Sequence, residues 1–156
     1  MPQKVLELKD IEDQESRLIF KTFDEATALA LGMRLVQSCQ AQNLPVVINI
    51  RNTDRTFFHA ALAGSAPLND NWARRKSNVT FMFHKSSFWV ATHFAEKGRD
   101  LVQDGLDTAD YAAAGGSFPI RVRGVGVVAA VTISGLPQAQ DHAVVVRALE
   151  EHLADI

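Results

Sequence analysis

The sequence predicts an α+β fold in which about five mainly antiparallel strands carry helices packed on them. Three observations lead there. Two pairs of β-like runs, 46–51 with 55–62 and 118–123 with 125–134, are each joined by a turn short enough for a hairpin. Helical runs fall between the strand pairs and not after every strand, which argues against a doubly wound parallel sheet. The 156 residues, 47% hydrophobic and 22% charged, suit one ordinary domain, 1–156, able to bury a core without disulfides or a structural metal.

Residues 2–15 place Val5, Leu8 and Ile11 at near-helical spacing among acidic residues, giving a short amphipathic first helix. Residues 17–23 have the composition of a strand. Asp24 then stands where an N-cap is needed for a helix over 25–41, whose stripe is Ala26, Leu29, Met33 and Val36 and which Asn43 and Pro45 end. After the first hairpin, residues 64–67 break the pattern, and a helix over 68–85 is interrupted at Ser86-Ser87 before a second helical run to Lys97. A polar stretch follows, then the second hairpin with its turn at Gly124, and a last amphipathic helix over 138–154. Along the strands Val127, Ala129, Val131 and Ile133 alternate with Val128, Thr132 and Ser134, and Val46, Ile48 and Ile50 with Asn49 and Arg51. One sheet face is therefore dry, the other mixed, and helices are expected over one face.

Composition excludes several classes. Sixteen Lys and Arg against 18 Asp and Glu leave a formal charge of −2, without the basic excess of a nucleic-acid binder. No run is long and apolar enough to span a membrane, and residues 1–15 lack the apolar centre of a signal peptide. The single cysteine, Cys39, sits in an apolar helical run with no basic neighbour, which suggests a small apolar filler in a cytoplasmic protein. Residues 124–129 match the letters of a dinucleotide fingerprint, but a β-run follows the glycines where that chemistry requires a helix N-terminus. The five histidines form no zinc pattern. His84 and His93, nine positions apart across the Ser86-Ser87 break, are candidates to converge on a cofactor, and His59 is a third candidate; surface or interface positions are the plainer alternative.

Residues 69–78 set three consecutive cations, Arg74, Arg75 and Lys76, beside Trp72 and several amides, Asn78 among them. At about 100° per residue, Leu68, Trp72, Val79, Met82 and Phe83 share one arc, with Arg75 inside it, Lys76 at its rim and Arg74 nearly opposite. Arg75 is thus expected on the apolar side, held by an internal salt bridge or facing a ligand or a partner subunit. Phe81 falls on the other face, and residues 88–95 are apolar nearly all round. That predicts a homo-oligomer with its interface around Phe81, Phe88, Trp89 and Phe94, against the alternative of a thick internal core.

Taken together, Gly115-Gly116-Ser117-Phe118-Pro119-Ile120, Gly124 to Val128, Thr132 to Pro137 and the helix opening with Asp141-His142 resemble the haem-degrading domain family of HbpS-like, GlcG-like and PduO C-terminal-domain-like proteins. The stretch with Phe58-His59-Ala60-Ala61-Leu62 and then Asn71, Trp72, Arg74, Arg75, Lys76 and Asn78 is similar to an uncharacterised cytoplasmic branch of that family. The resemblance implies a profilin-like sheet, assembly into an oligomer, and a bound tetrapyrrole, haem being the cofactor to consider, without assigning its iron ligands. Two functions follow as expectations. One is an oligomeric small-molecule-binding protein that binds or degrades haem or a related tetrapyrrole, with candidate ligand-binding residues Trp72, Arg74, Arg75, Lys76, Asn78, His59, His84 and His93. The alternative is a non-enzymatic interaction or adaptor protein without cofactor, its contacts made by the aromatics and arginines. No triad or carboxylate pair argues for an enzyme, and catalysis stays an open question.

Overall fold

Asp24 performs the capping its position requires: its carboxylate accepts from the Thr27 N–H at 2.9 Å, and helix α2 (Glu25–Ala41) follows. In the computed structural model, which describes residues 5–156, this helix lies third in an order that runs α1 (Leu8–Arg17), β1 (Ile19–Phe20), α2, β2 (Val47–Arg51), β3 (Thr56–Ala61), α3 (Pro67–Phe83), α4 (Ser87–Lys97), a 3-10 turn (Leu101–Asp104), β4 (Ser117–Val122), β5 (Gly126–Ser134) and α5 (Gln138–Ala154). Of the expected first helix, residues 2–4 lie outside the described residues. Its start is Leu8, where Asp10 accepts from the Glu7 N–H at 2.9 Å. The strand expected over 17–23 is only Ile19–Phe20: Arg17 still belongs to α1, and 21–23 are irregular chain leading to the Asp24 cap.

The five strands form one sheet in the order β1-β4-β5-β2-β3, antiparallel except where Ile19 of β1 runs parallel to Arg121 of β4. Both expected hairpins are present, and β5 joins them by pairing with β2, Ile48 opposite Ile133. The Gly124 turn has Gly124 at φ 78° and Gly126 at φ 115°, and β5 follows, so the dinucleotide letters belong to a hairpin.

Ile48, Ile50, Phe118, Ile120, Val131 and Ile133 share the dry face and pack against Leu31, Leu35 and Cys39 of α2 and Val145 and Leu149 of α5. Gly32 of α2 permits this closeness, since a Cβ there would overlap the Phe58 ring. Burial in this layer pushes the Cys39 thiol up to about 11, which leaves it an inert apolar filler.

The expectation of one covered face is corrected: α3 covers the mixed face as well. The pleat puts Asn49, Ser117, Thr132 and Ser134 on that side, and α3 meets them with hydroxyls of its own. Thr80 Oγ1 donates to Ser117 Oγ at 2.8 Å, Thr132 Oγ1 donates to the same oxygen at 2.9 Å, and Ser77 Oγ lies 2.9 Å from Thr132 Oγ1. Buried hydroxyls paired in this way cost little and fix the helix in place.

A second apolar cluster explains α4. Val79, Val90, Phe94 and Leu101 are buried together, with Phe83, Trp89, Leu106, Tyr111 and Ala113 around them. The stretch after α4, read from sequence as polar, thus folds back over the helix, and Phe94, expected at an interface, is buried by its own chain in edge contact with Phe83 at 5.5 Å. The Ser86-Ser87 break is a cap: His84 ends α3 in the left-handed region, and Ser86 Oγ accepts from the Trp89 N–H at 3.1 Å. Buried Glu15 of α1 ties this junction down, accepting from Ser86 N at 3.2 Å and Oγ at 3.1 Å and from Arg121 at 3.3 Å.

Candidate functional site

The first half of α3 lies over the end of the sheet where β5 gives way to α5, and Trp72 stands there between two clefts. One, of about 450 Å³, is mainly apolar: Phe94, Leu101 and Tyr111 form walls with Trp72, and Arg75 and Arg99 stand on its edge. The other, of about 280 Å³, is lined by Asn69, Ser134 and Gln138 with Trp72, and Lys76 and Asp141 lie in its lining too.

Arg75 does not sit on the buried side of α3, contrary to the wheel. The face turned to the sheet is Ala73, Lys76, Ser77 and Thr80, while Leu68 and Met82, assigned to the apolar arc, are 65% and 50% exposed. The helix lies close to the sheet, so small and hydroxyl-bearing side chains fill the contact and the large apolar ones turn elsewhere. Arg75 lies across the Trp72 ring at 4.4 Å, donates from Nε to the Thr108 carbonyl at 2.9 Å, and forms no ion pair among the described residues. Arg99, by contrast, is paired with Asp104 at 2.8 Å.

Lys76 is the buried cation. Its Nζ donates to Asp141 Oδ2 at 2.8 Å and to the Ile133 carbonyl at 3.1 Å, while Asp141 Oδ1 accepts from the Leu136 N–H at 3.0 Å. Burial draws the two pKa values toward each other, lowering that of the amine and raising that of the carboxyl, against the attraction between the charges.

The other candidates have different work. Arg74 reaches Asp110 at 3.0 Å and the Ala109 carbonyl at 2.8 Å, and Asn78 donates to the Asp110 carbonyl at 2.8 Å; together they strap the segment that carries Thr108 and Tyr111 onto α3. His59 lies 2.9 Å from Asp70 and 3.0 Å from Asn49, away from both clefts. His84 caps α3 and His93 stacks on Trp89 at 4.6 Å, and neither lines either cleft. Among the described residues no group of three His, Cys, Asp or Glu side chains is placed to hold a metal ion. Phe88 packs on His142 at 4.9 Å, and Phe81 lines a groove beside Arg51.

A haem ligated by imidazole does not fit the apolar cleft, because none of His59, His84 and His93 lines it. Of the residues that do line it, Arg75 would be the one to hold a propionate and Tyr111 the one to offer an oxygen donor. Tyr111 and Arg99 were missed from sequence because they lie in a stretch that reads as polar loop. Asp141 and Gly116 stand in the motifs that carried the resemblance, which was the available signal for them.

A family model described as haem degrading protein HbpS-like matches residues 23–150. A UPF0303 protein of Streptomyces coelicolor is 46% identical over 147 residues, covering 94% of this chain and 93% of the relative. One from Acidobacterium capsulatum is 47% identical over 137 residues, 87% of this chain and 83% of its own. Among solved structures, the Ybr137w protein superposes with a TM-score of 0.87 at 30% identity, over 97% of this chain and 90% of that one. The structure described as a PduOC:heme complex shares the fold at a TM-score of 0.70 and 16% identity, covering 83% of this chain and 94% of that chain.

Proposed function

We propose, from the premise that this chain belongs to the HbpS-like haem-degrading family, that it is a small-molecule-binding protein whose ligand is a planar acid of the tetrapyrrole class, haem included. The observation that carries this is Arg75: a guanidinium stacked on Trp72, without a carboxylate partner among the described residues, at the edge of an apolar cleft of about 450 Å³. A flat apolar ligand with a carboxylate satisfies both halves of that arrangement, since the ring system takes the walls and the acid takes the free fork of the arginine. The cleft volume lies within the range of small-molecule sites. Arg74 and Asn78 act at one remove, by holding the Thr108–Tyr111 wall against α3.

The reading takes the whole chain, 1–156, as one domain of a cytoplasmic protein that associates with copies of itself. Phe88 and Trp89 are half-buried and Lys85 lies over the Trp89 ring at 5.2 Å, a surface of the type enriched at contacts between subunits. No helix among the described residues is long and apolar enough to cross a membrane.

Haemin titration tests the ligand. A saturable Soret change at micromolar haemin is expected; Arg75→Ala weakens it by about tenfold, the scale of one charge-assisted contact. Tyr111→Phe alters the band without abolishing binding. No saturable change in the wild-type protein overturns the reading.

A further inference from the structure

On the far side of Trp72, the smaller cleft has a buried pair in its lining, Lys76 with Asp141. Lys76 is 3% exposed and Asp141 is 1% exposed, yet both line the cleft. Room for the pair is built into the backbone at Gly116, whose φ of +135° favours glycine and where a Cβ would stand 2.7 Å from Lys76 Nζ and 3.1 Å from the Asp141 Cβ. The carboxylate is aimed by the Leu136 N–H, which holds its other oxygen, and the amine by the Ile133 carbonyl.

We propose that Lys76 captures a small uncharged hydroxyaldehyde in this cleft as an imine, with Asp141 as its proton partner. The inference is independent of what occupies the apolar cleft. A lysine attacks a carbonyl only as the neutral amine, and in this site the ammonium has a carboxylate at 2.8 Å to receive its proton. Burial lowers the amine's pKa and raises the carboxyl's, which eases transfer of the Lys76 proton to Asp141 when a carbonyl arrives.

The Nζ lone pair adds to the aldehyde carbon and the carbonyl π electrons move to oxygen. That oxygen takes up a proton as the new ammonium gives one up, Asp141 relaying it, and a neutral carbinolamine results. The nitrogen lone pair then expels the hydroxyl, which leaves as water with the proton of Asp141, and the iminium nitrogen returns its own proton to the Asp141 carboxylate, leaving a neutral C=N bond. One amine and one aldehyde become one imine and one water, with no oxidation or reduction.

The lining chooses the substrate class. The amide oxygens of Asn69 and Gln138 are held by the Ala66 and Gly115 N–H groups, which leaves their NH2 groups, with Ser134, as partners for a hydroxylated chain beside Trp72 and Leu136, and about 280 Å³ admits only a short one. Among the described residues Lys76 is the only cation in the lining and Asp141 is paired with it, so a phosphate or carboxylate on the aldehyde would find no countercharge there.

Native wild-type protein treated with limiting glycolaldehyde and cyanoborohydride, which reduces the imine to a stable hydroxyethylamine, tests this by peptide mapping. Lys76 is expected to be modified several-fold faster than the exposed Lys9, Lys21 and Lys97, with a pH profile displaced to lower pH than theirs. Asp141→Asn is expected to slow modification at Lys76 and leave the other three unchanged; the wild-type pH profile decides the matter if that variant does not fold. Lys76 left unmodified while the exposed lysines react, or modified with their pH profile, overturns the proposal.

Discussion

On the sheet face beneath α2 and α5, Ile48, Ile50, Phe118, Ile120, Val131 and Ile133 meet side chains that are apolar apart from His142, which lies against Phe118. On the face beneath α3, Asn49, Ser117, Thr132 and Ser134 are buried as deeply, and meet Ser77, Thr80 and Lys76. The same strands supply both. The dry face gains from the area it removes from water, with no directional demand. The wet face gains little net energy per hydrogen bond but is exacting about geometry, and both clefts lie along the helix it positions.

Substitution separates the two. Phe118→Ala removes a fully buried ring and is expected to cost about 3–5 kcal/mol in urea unfolding, with no second deletion on that face restoring it. Lys76→Met is expected to cost a similar amount, about 3–5 kcal/mol, because Asp141 is left buried without its partner. Here the second change helps: Lys76→Met with Asp141→Leu should recover most of the loss. If the double variant is no better than the single, the pair is not the source of the cost.

Next in size is an acid effect from α5. His142 donates from Nε2 to Gln14 at 2.7 Å, lies under Phe88 and Phe118, and is held by burial down at about 4. The unfolded chain takes up that proton near pH 6.5, while the folded chain refuses it until about pH 4. The contribution is therefore full above about 6.5 and is lost as pH falls toward 4, by roughly 3 kcal/mol in all. His142→Leu should flatten this part of the stability profile; a slope between about pH 6.5 and 4 equal to that of the wild-type protein would contradict the assignment.

Smaller effects belong to the hydroxyls and the cleft edge. Thr132→Val is expected to cost roughly 1–2 kcal/mol by leaving Ser77 and Ser117 short of a partner. Arg75→Ala should leave stability within about 0.5 kcal/mol, since the side chain is half-exposed, while weakening the ligand.

The dry face was the legible one. Alternation in β2 and β5, the Asp24 cap and the Gly124 turn are local signals, and the elements they indicate formed. The parallel pairing of β1 was hidden because two residues carry no pattern. The α3 wheel held for Val79, buried in the second cluster with Phe83 beside it, and failed for Leu68 and Met82, because the face toward the sheet is Ala73, Lys76, Ser77 and Thr80. The partner that makes this tolerable, Asp141, is 65 residues away and cannot be found by any local rule. Trp72, Arg75 and Lys76 were legible as a cluster of cations about an aromatic ring. Which cation was buried and which was free depended on the sheet.

Trp72 itself offers the most direct test of the ligand cleft. In a Trp89→Phe background Trp72 is the only tryptophan, and haemin seated beside it must quench its emission. The expected result is saturable quenching that tracks the Soret change and weakens with Arg75→Ala. A Soret change with undisturbed Trp72 emission would place the ligand elsewhere and contradict the assignment.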